Sequence, residues 1–247
     1  MPSSSLAQLN RTLTACERCP RLIAHCRKIA QEKRRAYQDE IYWGKPVPSW
    51  GDPQARVLLV GLAPGAHGSN RTGRMFTGDG SADFLTPALH RAYFSNSPIS
   101  IHRNDGLKLN DMYVIASAHC APPDNKPTPQ EIANCRPYFI QHLRLLKRVR
   151  VILALGKIAF DNTLVALKEM GIEVPNPRPQ FGHGVEYIVG PYVLIGSYHP
   201  SRQNTQTGKL TAAMFDEVFK KVRARLGAEG TEGKEWASRE TGGGAGI

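Results

Sequence analysis

The sequence predicts an α/β fold: a three-layer α/β/α sandwich around a central four-stranded parallel sheet. Two observations carry this. Four short apolar runs, Arg56–Gly61, Met112–Ala118, Val151–Leu155 and Tyr192–Gly196, are continuous rather than alternating, as strands buried on both faces of a parallel sheet require. Helical patterns lie between or after them, and that alternation places ligands outside the carboxyl ends of the strands. A chain of 247 residues suits one such domain, spanning residues 1–226.

The elements follow in order. Residues 5–38 read as a basic, mostly helical arm outside the sheet, and residues 11–56 hold ten Lys/Arg against five Asp/Glu. The first strand opens onto a glycine-rich loop, residues 61–80. After the second strand, Thr128-Pro129-Gln130-Glu131 has the form of a capping box with proline at the first helical position, opening a helix to about Arg148. Residues 157–170 and 209–226 carry amphipathic helical patterns after the third and fourth strands. From Gly227 the chain loses apolar periodicity, and residues 227–247 read as a disordered tail.

Composition bounds the function. The chain is 41% hydrophobic, too apolar for a mostly disordered protein. Lys and Arg number 32 against 21 Asp and Glu, a formal charge of +11, which fits a polyanionic partner and equally fits a solvated basic surface. No apolar run approaches the length of a membrane-spanning helix, and the first residues lack the charged and apolar regions of a signal peptide. A cytoplasmic monomer is the expectation. In a reducing compartment five cysteines argue against a disulfide framework and for metal binding, chemistry or burial.

The cysteines pair by position. Cys16 and Cys19 form a Cys-x2-Cys in the arm; Cys120 follows the second strand and Cys135 lies in the helix begun at Thr128. Together they make a four-thiolate site that would tie the arm to the sheet. Zinc and an iron–sulfur cluster both suit such a set, and spacing does not choose between them. Cys26 is left without a role.

Two loops at the carboxyl edge carry polar chemistry. The first, after Gly61, lacks the Gly-Lys-Ser/Thr ending of a P-loop and has no Gly-x-Gly-x-x-Gly opening a helix. It offers His67, Asn70, Arg71, Arg74, Phe76 and Asp79 instead, a set suited to a base and its sugar–phosphate. Asp79 also precedes a helical stretch and can cap it. The second loop, Ser197 to Lys209, holds His199 on the stiff turn set by Pro200.

These motifs, Gly-Leu-Ala-Pro-Gly-Ala-His-Gly…Arg-Thr-Gly-Arg-Met-Phe-Thr-Gly-Asp and His-Pro-Ser…Asn-Thr-Gln-Thr-Gly, resemble the uracil-DNA glycosylase superfamily over roughly residues 10–226, and within it the type-5, iron–sulfur branch. The resemblance implies a base-excision-repair glycosylase that flips uracil, and other deaminated bases such as hypoxanthine or xanthine, out of DNA and hydrolyses the N-glycosidic bond. It implies a structural [4Fe–4S] cluster on Cys16, Cys19, Cys120 and Cys135, with zinc the alternative. It further implies that Asp79 and His199 are catalytic and that Gly61, Ala63, His67, Phe76, Asn125 and Asn204 line the substrate. Arg71, Arg74, Ser201, Arg202 and Lys209 would contact the strands. Two positions depart from most of the superfamily: Ala63 stands where an acid or amide orients water, and Ala116 where an asparagine reads uracil. The alternatives are a type-4-like enzyme strict for uracil and a non-enzymatic, metal-stapled nucleic-acid-binding module.

Overall fold

The structure, a computed structural model, describes residues 5–227, so the expected tail lies outside the described residues apart from Gly227. The predicted sandwich is present. Its strands are β1 (Trp50–Gly51), β2 (Val57–Gly61), β3 (Met112–Ala116), β4 (Val151–Leu155), β5 (Glu186–Val189) and β6 (Tyr192–Ser197), in the order β1-β3-β2-β4-β6-β5. The four strands expected from sequence are the central four, and all run parallel. Every residue of β2, β3 and β4 is buried, which is why their apolar runs do not alternate.

The sheet is nevertheless mixed and six-stranded, not four-stranded. β1 pairs antiparallel with β3 over two residues, and β5 pairs antiparallel with β6 through a tight turn at Gly190, whose φ is +58°. β1 is too short to show a pattern. β5 is half exposed, so it lacks the continuous apolar signature of the central strands.

Eight helices surround the sheet among the described residues: α1 (Leu6–Thr14), α2 (Pro20–Glu32), α3 (Ser69–Thr72), α4 (Gly80–Arg91), α5 (Pro129–Leu145), α6 (Lys157–Glu169), α7 (Arg202–Gln206) and α8 (Ala212–Leu226). Phe215, Val218, Phe219 and Val222 of α8 join Leu85 and Leu89 of α4 against one face of the sheet. Phe139 and Leu143 of α5 join Phe160, Leu164 and Leu167 of α6 against the other. Each such side chain taken from water contributes about 1.5–3 kcal/mol. The capping box forms as expected: Thr128 accepts from the Glu131 amide and Glu131 reaches back to the Thr128 amide.

Glu131 has a second task. Arg21 of α2 donates Nε and Nη2 to its two carboxylate oxygens at 2.8 and 2.7 Å. The arm is thus latched to the start of α5, one turn before Cys135, and Oε2 of Glu131 serves both cap and latch.

Candidate active site

The carboxyl ends of β2 and β6 bring two loops together. Past β2, Ser117 and Ala118 donate their amides to the carbonyls of Gly61 and Leu62 at 2.9 Å each, which fixes the loop's departure from the sheet. The loop then coils through α3 and returns. Phe76 lies across Gly61 so closely that a Cβ there would stand 2.9 Å from its Cζ, so only glycine allows the ring this seat. Phe76 itself holds φ at +52°, a conformation costing a non-glycine residue about 1–3 kcal/mol and typical of functional sites.

Opposite stands His199, just past β6. The two ring centroids are 6.1 Å apart with planes inclined by 33°. Asn204 donates its side-chain amide to the His199 carbonyl at 2.9 Å, and Ser201 caps α7 by accepting from the Asn204 amide. The half-buried imidazole is enclosed enough that desolvation pushes its pKa down to about 4. With its pKa that low, the ring facing Phe76 is a neutral imidazole.

Asp79 completes the group. It is the N-cap of α4, and Oδ1 accepts from the amides of Ser81 and Ala82 at 3.0 Å each. Oδ2 is left to face the loop: a Cβ on Gly65 would stand 3.0 Å from it, and one on Gly68 only 1.9 Å. Burial pushes the carboxyl pKa up, while the two helix amides and nearby Arg202 hold it down. Cap and loop-facing carboxylate are therefore one side chain.

The remaining expected residues fall into three groups. His67 is braced, its Nδ1 3.0 Å from the Tyr42 hydroxyl. Ala63 and Gly61 line the loop's first turn, with no side chain able to orient water. Asn125 stands exposed on the turn Pro123–Asn125, with φ +57°. Arg202 and Lys209 are exposed at the rim; Arg202 packs over Gly80 and the Lys209 ammonium lies 5.1 Å above the Tyr198 ring.

Arg71 and Arg74 correct the expectation that they reach DNA. Both are only 6% exposed. Arg71 donates to the carbonyls of His67 and Gly78, pairs with Glu40 and stacks on Tyr37. Arg74 forms a two-pronged pair with Asp105 at 2.8 and 2.6 Å and donates to Thr77 and Ser100. Although burial pushes Asp105 up, the Arg74 guanidinium and the loop amides of Leu107 and Ile101 bring it to about 2. These guanidiniums are buried against protein acceptors and brace the loop from inside.

Sequence reasoning missed two supports. His183 Nδ1 accepts from the Tyr198 amide at 3.2 Å while its Nε2 donates to the Met214 carbonyl at 3.2 Å, which ties the His199 loop to α8. It lies in an irregular stretch with no motif to draw attention. Ser100, likewise unmarked, fastens the segment before β3 onto Phe76 and Thr77.

Remote from this pocket, the thiols gather where the arm meets the sheet. Cys16 precedes α2, Cys19 is its N-cap, Cys120 follows β3 and Cys135 sits in α5. Burial pushes Cys135 up to about 12, and the neighbouring Cys19 and Cys16 add to it. Cys120 is raised by its bond with Cys26 and by burial, with Cys135 and Cys16 close enough to contribute. Cys26 is thus a fifth thiol beside the set, accepting from the Ala121 amide at 3.2 Å. Among the described residues no three His, Cys, Asp or Glu side chains converge tightly enough to hold a single ion.

The chain is similar in sequence to known proteins. The profile of the Uracil DNA glycosylase superfamily matches residues 48–223. A type-5 uracil-DNA glycosylase of Thermus thermophilus is 50% identical over 218 residues, covering 88% of this chain and 96% of that protein. One of Mycobacterium tuberculosis is 47% identical, covering 92% and 84%. A type-4 uracil-DNA glycosylase of Pyrobaculum aerophilum is 31% identical, covering 79% and 83%.

Proposed function

The chain belongs to the uracil-DNA glycosylase superfamily, and on that premise we propose how its pocket removes a base and how far its selectivity extends. It is a DNA glycosylase that excises uracil in DNA repair, with relatives of the type-5 class at 45–50% identity. The observation that carries the mechanism is the meeting of Phe76, His199 and Asp79 between two loops at one sheet edge.

A stacked nucleotide cannot present C1′ to a protein, so the base must leave the helix, at a cost of a few kcal/mol. Phe76, locked over Gly61, offers the extruded base a stacking face worth about 1–3 kcal/mol, and stacking tolerates different bases. As the N-glycosidic bond breaks, the base gains negative charge and the sugar positive charge. The neutral His199 donates a hydrogen bond to the base oxygen where charge collects, a contact that strengthens in the transition state. Asp79 Oδ2 orients the attacking water and, ionised, favours the cationic sugar; its fixed Oδ1 keeps it in place.

Selectivity extends beyond uracil to deaminated purines. Ala116 places a methyl group where an asparagine would read uracil, and the Phe76 face reads no hydrogen-bond pattern. A substrate panel decides this: duplexes with uracil, hypoxanthine or xanthine, treated with alkali after incubation. Cleavage of uracil and at least one purine lesion is expected; cleavage of uracil alone overturns the broad specificity.

The four thiols fit a structural [4Fe–4S] cluster, which would supply rigidity, not chemistry. All four donors are thiols sharing one neighbourhood. Zinc is the alternative occupant, since four thiolates also suit a tetrahedral ion. Purified protein should show broad visible charge-transfer absorption and bound iron; colourless protein carrying one zinc overturns the assignment.

A further inference from the structure

The segment before β3 that is bonded to Phe76 and Gly78 carries two exposed isoleucines. Ile99 is 57% and Ile101 58% exposed. Ser100, between them, is buried, so the two isoleucines flank an inward-held serine. Isolated exposed apolar side chains need no explanation. These two are different because their support is built: the Gly78 amide donates to the Ser100 carbonyl at 2.9 Å, and Ser100 Oγ donates to the Phe76 carbonyl at 3.0 Å. Asp105 Oδ2 accepts from the amides of Ile101 and His102 at 2.8 and 3.2 Å while it holds the buried Arg74. An internal ion pair thus clamps a two-residue apolar tip to the backbone of the residues between Phe76 and Asp79.

Resting on the glycosylase reading, we propose that Ile99 and Ile101 form an apolar wedge that enters duplex DNA beside the extruded nucleotide. Three observations select DNA as the occupant. The tip is continuous with the base pocket, one hydrogen bond from Gly78. It is followed by His102 and Arg103, exposed, with the Arg103 guanidinium 4.5 Å over the Trp43 ring. And the loop after His199 offers no apolar candidate: Arg202, Gln203, Gln206, Thr207 and Lys209 are its exposed side chains, and Leu210 is buried. Apolar wedges, isoleucine among them, open a base step and kink the duplex, which lowers the cost of extrusion. A clamped tip loses little freedom on insertion, so more of its contact free energy reaches the complex.

The test is single-turnover cleavage by the full chain of two uracil substrates, one duplex and one single-stranded. The duplex carries 2-aminopurine opposite uracil as a fluorescent report of unstacking. In Ile99→Ser/Ile101→Ser, duplex cleavage should fall about tenfold or more and the fluorescence rise on binding should vanish, while single-strand cleavage falls about twofold at most. Ile99→Leu/Ile101→Leu, which keeps the apolar volume, should restore both duplex signals. Equal losses on the two substrates, an unimpaired serine variant, or a leucine variant as impaired as the serine one would each overturn the wedge. Failure of the unsubstituted protein to cleave either substrate would overturn the glycosylase reading itself.

Discussion

Asp79 divides one carboxylate between structure and chemistry, and the two parts are separable. Oδ1 caps α4 through two amides; Oδ2 faces Gly65 and Gly68. Asparagine caps a helix as well as aspartate does but can neither take a proton from water nor favour a cationic sugar. Asp79→Asn is therefore expected to keep the wild-type melting temperature while single-turnover cleavage of uracil DNA falls by about 10²-fold or more. Asp79→Ala should lose the same activity and in addition about 1 kcal/mol of stability. A near-wild-type rate for the asparagine variant would assign Asp79 to capping alone. Gly68→Ala probes the site from the loop side: its methyl would collide with Oδ2 at 1.9 Å, so the carboxylate must move and cleavage should fall with it.

At the scale of elements, the two loops owe their positions to different forces. The β2 loop is held by buried arginines, the β6 loop by a short capped helix and His183. Breaking a buried ion pair by removing one partner costs about 3–5 kcal/mol, so Arg74→Ala should shift the urea midpoint strongly downward. It should leave the salt dependence of DNA binding unchanged, because that guanidinium meets no phosphate. Arg202→Ala and Lys209→Ala should do the reverse, each lowering the slope of log Kd against log salt by about 1 with little loss of stability; filter binding at graded salt measures it. This contrast also marks what the sequence could tell. The central strands were legible because burial on both faces writes an unbroken apolar run, and α5 because Thr128 and Glu131 stand at cap spacing. That Phe76 and His199 meet at one sheet edge was legible because both lie in loops that leave the carboxyl ends of parallel strands. Arg71 and Arg74 were misread because burial of a charge depends on partners, Glu40 and Asp105, that lie 31 residues away in each case. The two-residue β1 and the half-exposed β5 left no pattern to find.

The whole molecule joins a sheet domain to a basic arm, and a buried polar junction holds α1 in place. Asn10 of α1 donates to the Ser49 carbonyl at 2.8 Å and accepts from the Ser49 amide at 3.1 Å. His142 of α5 stands behind it, fully buried, with Nδ1 2.8 Å from the Tyr138 carbonyl and Nε2 3.3 Å from Asn10 Oδ1. Those two acceptors favour an imidazolium, but burial, with the stacked His119 adding to it, dominates and pushes the pKa down to about 3. Released into water the same ring titrates near about 6.5. Between these values the unfolded chain binds a proton that the native chain refuses, so stability rises with pH there. The contribution of His142 is fully present above about 6.5 and is lost as pH falls towards about 3; His199, held at about 4, acts with the same sign. Carboxylates held low, such as Asp105 at about 2, release their share only under more acid conditions, which leaves the interval from about 6 to 4.5 governed mainly by buried histidines. Urea unfolding across that interval should show stability falling as pH falls. In His142→Gln, which keeps a polar side chain facing Asn10 but cannot titrate, the slope should be shallower by about 1.4 kcal/mol per pH unit. Groups common to both proteins cancel in the difference. An unchanged slope would mean that His142 is charged in the native state, and that the arm is docked on a buried cation rather than a neutral ring.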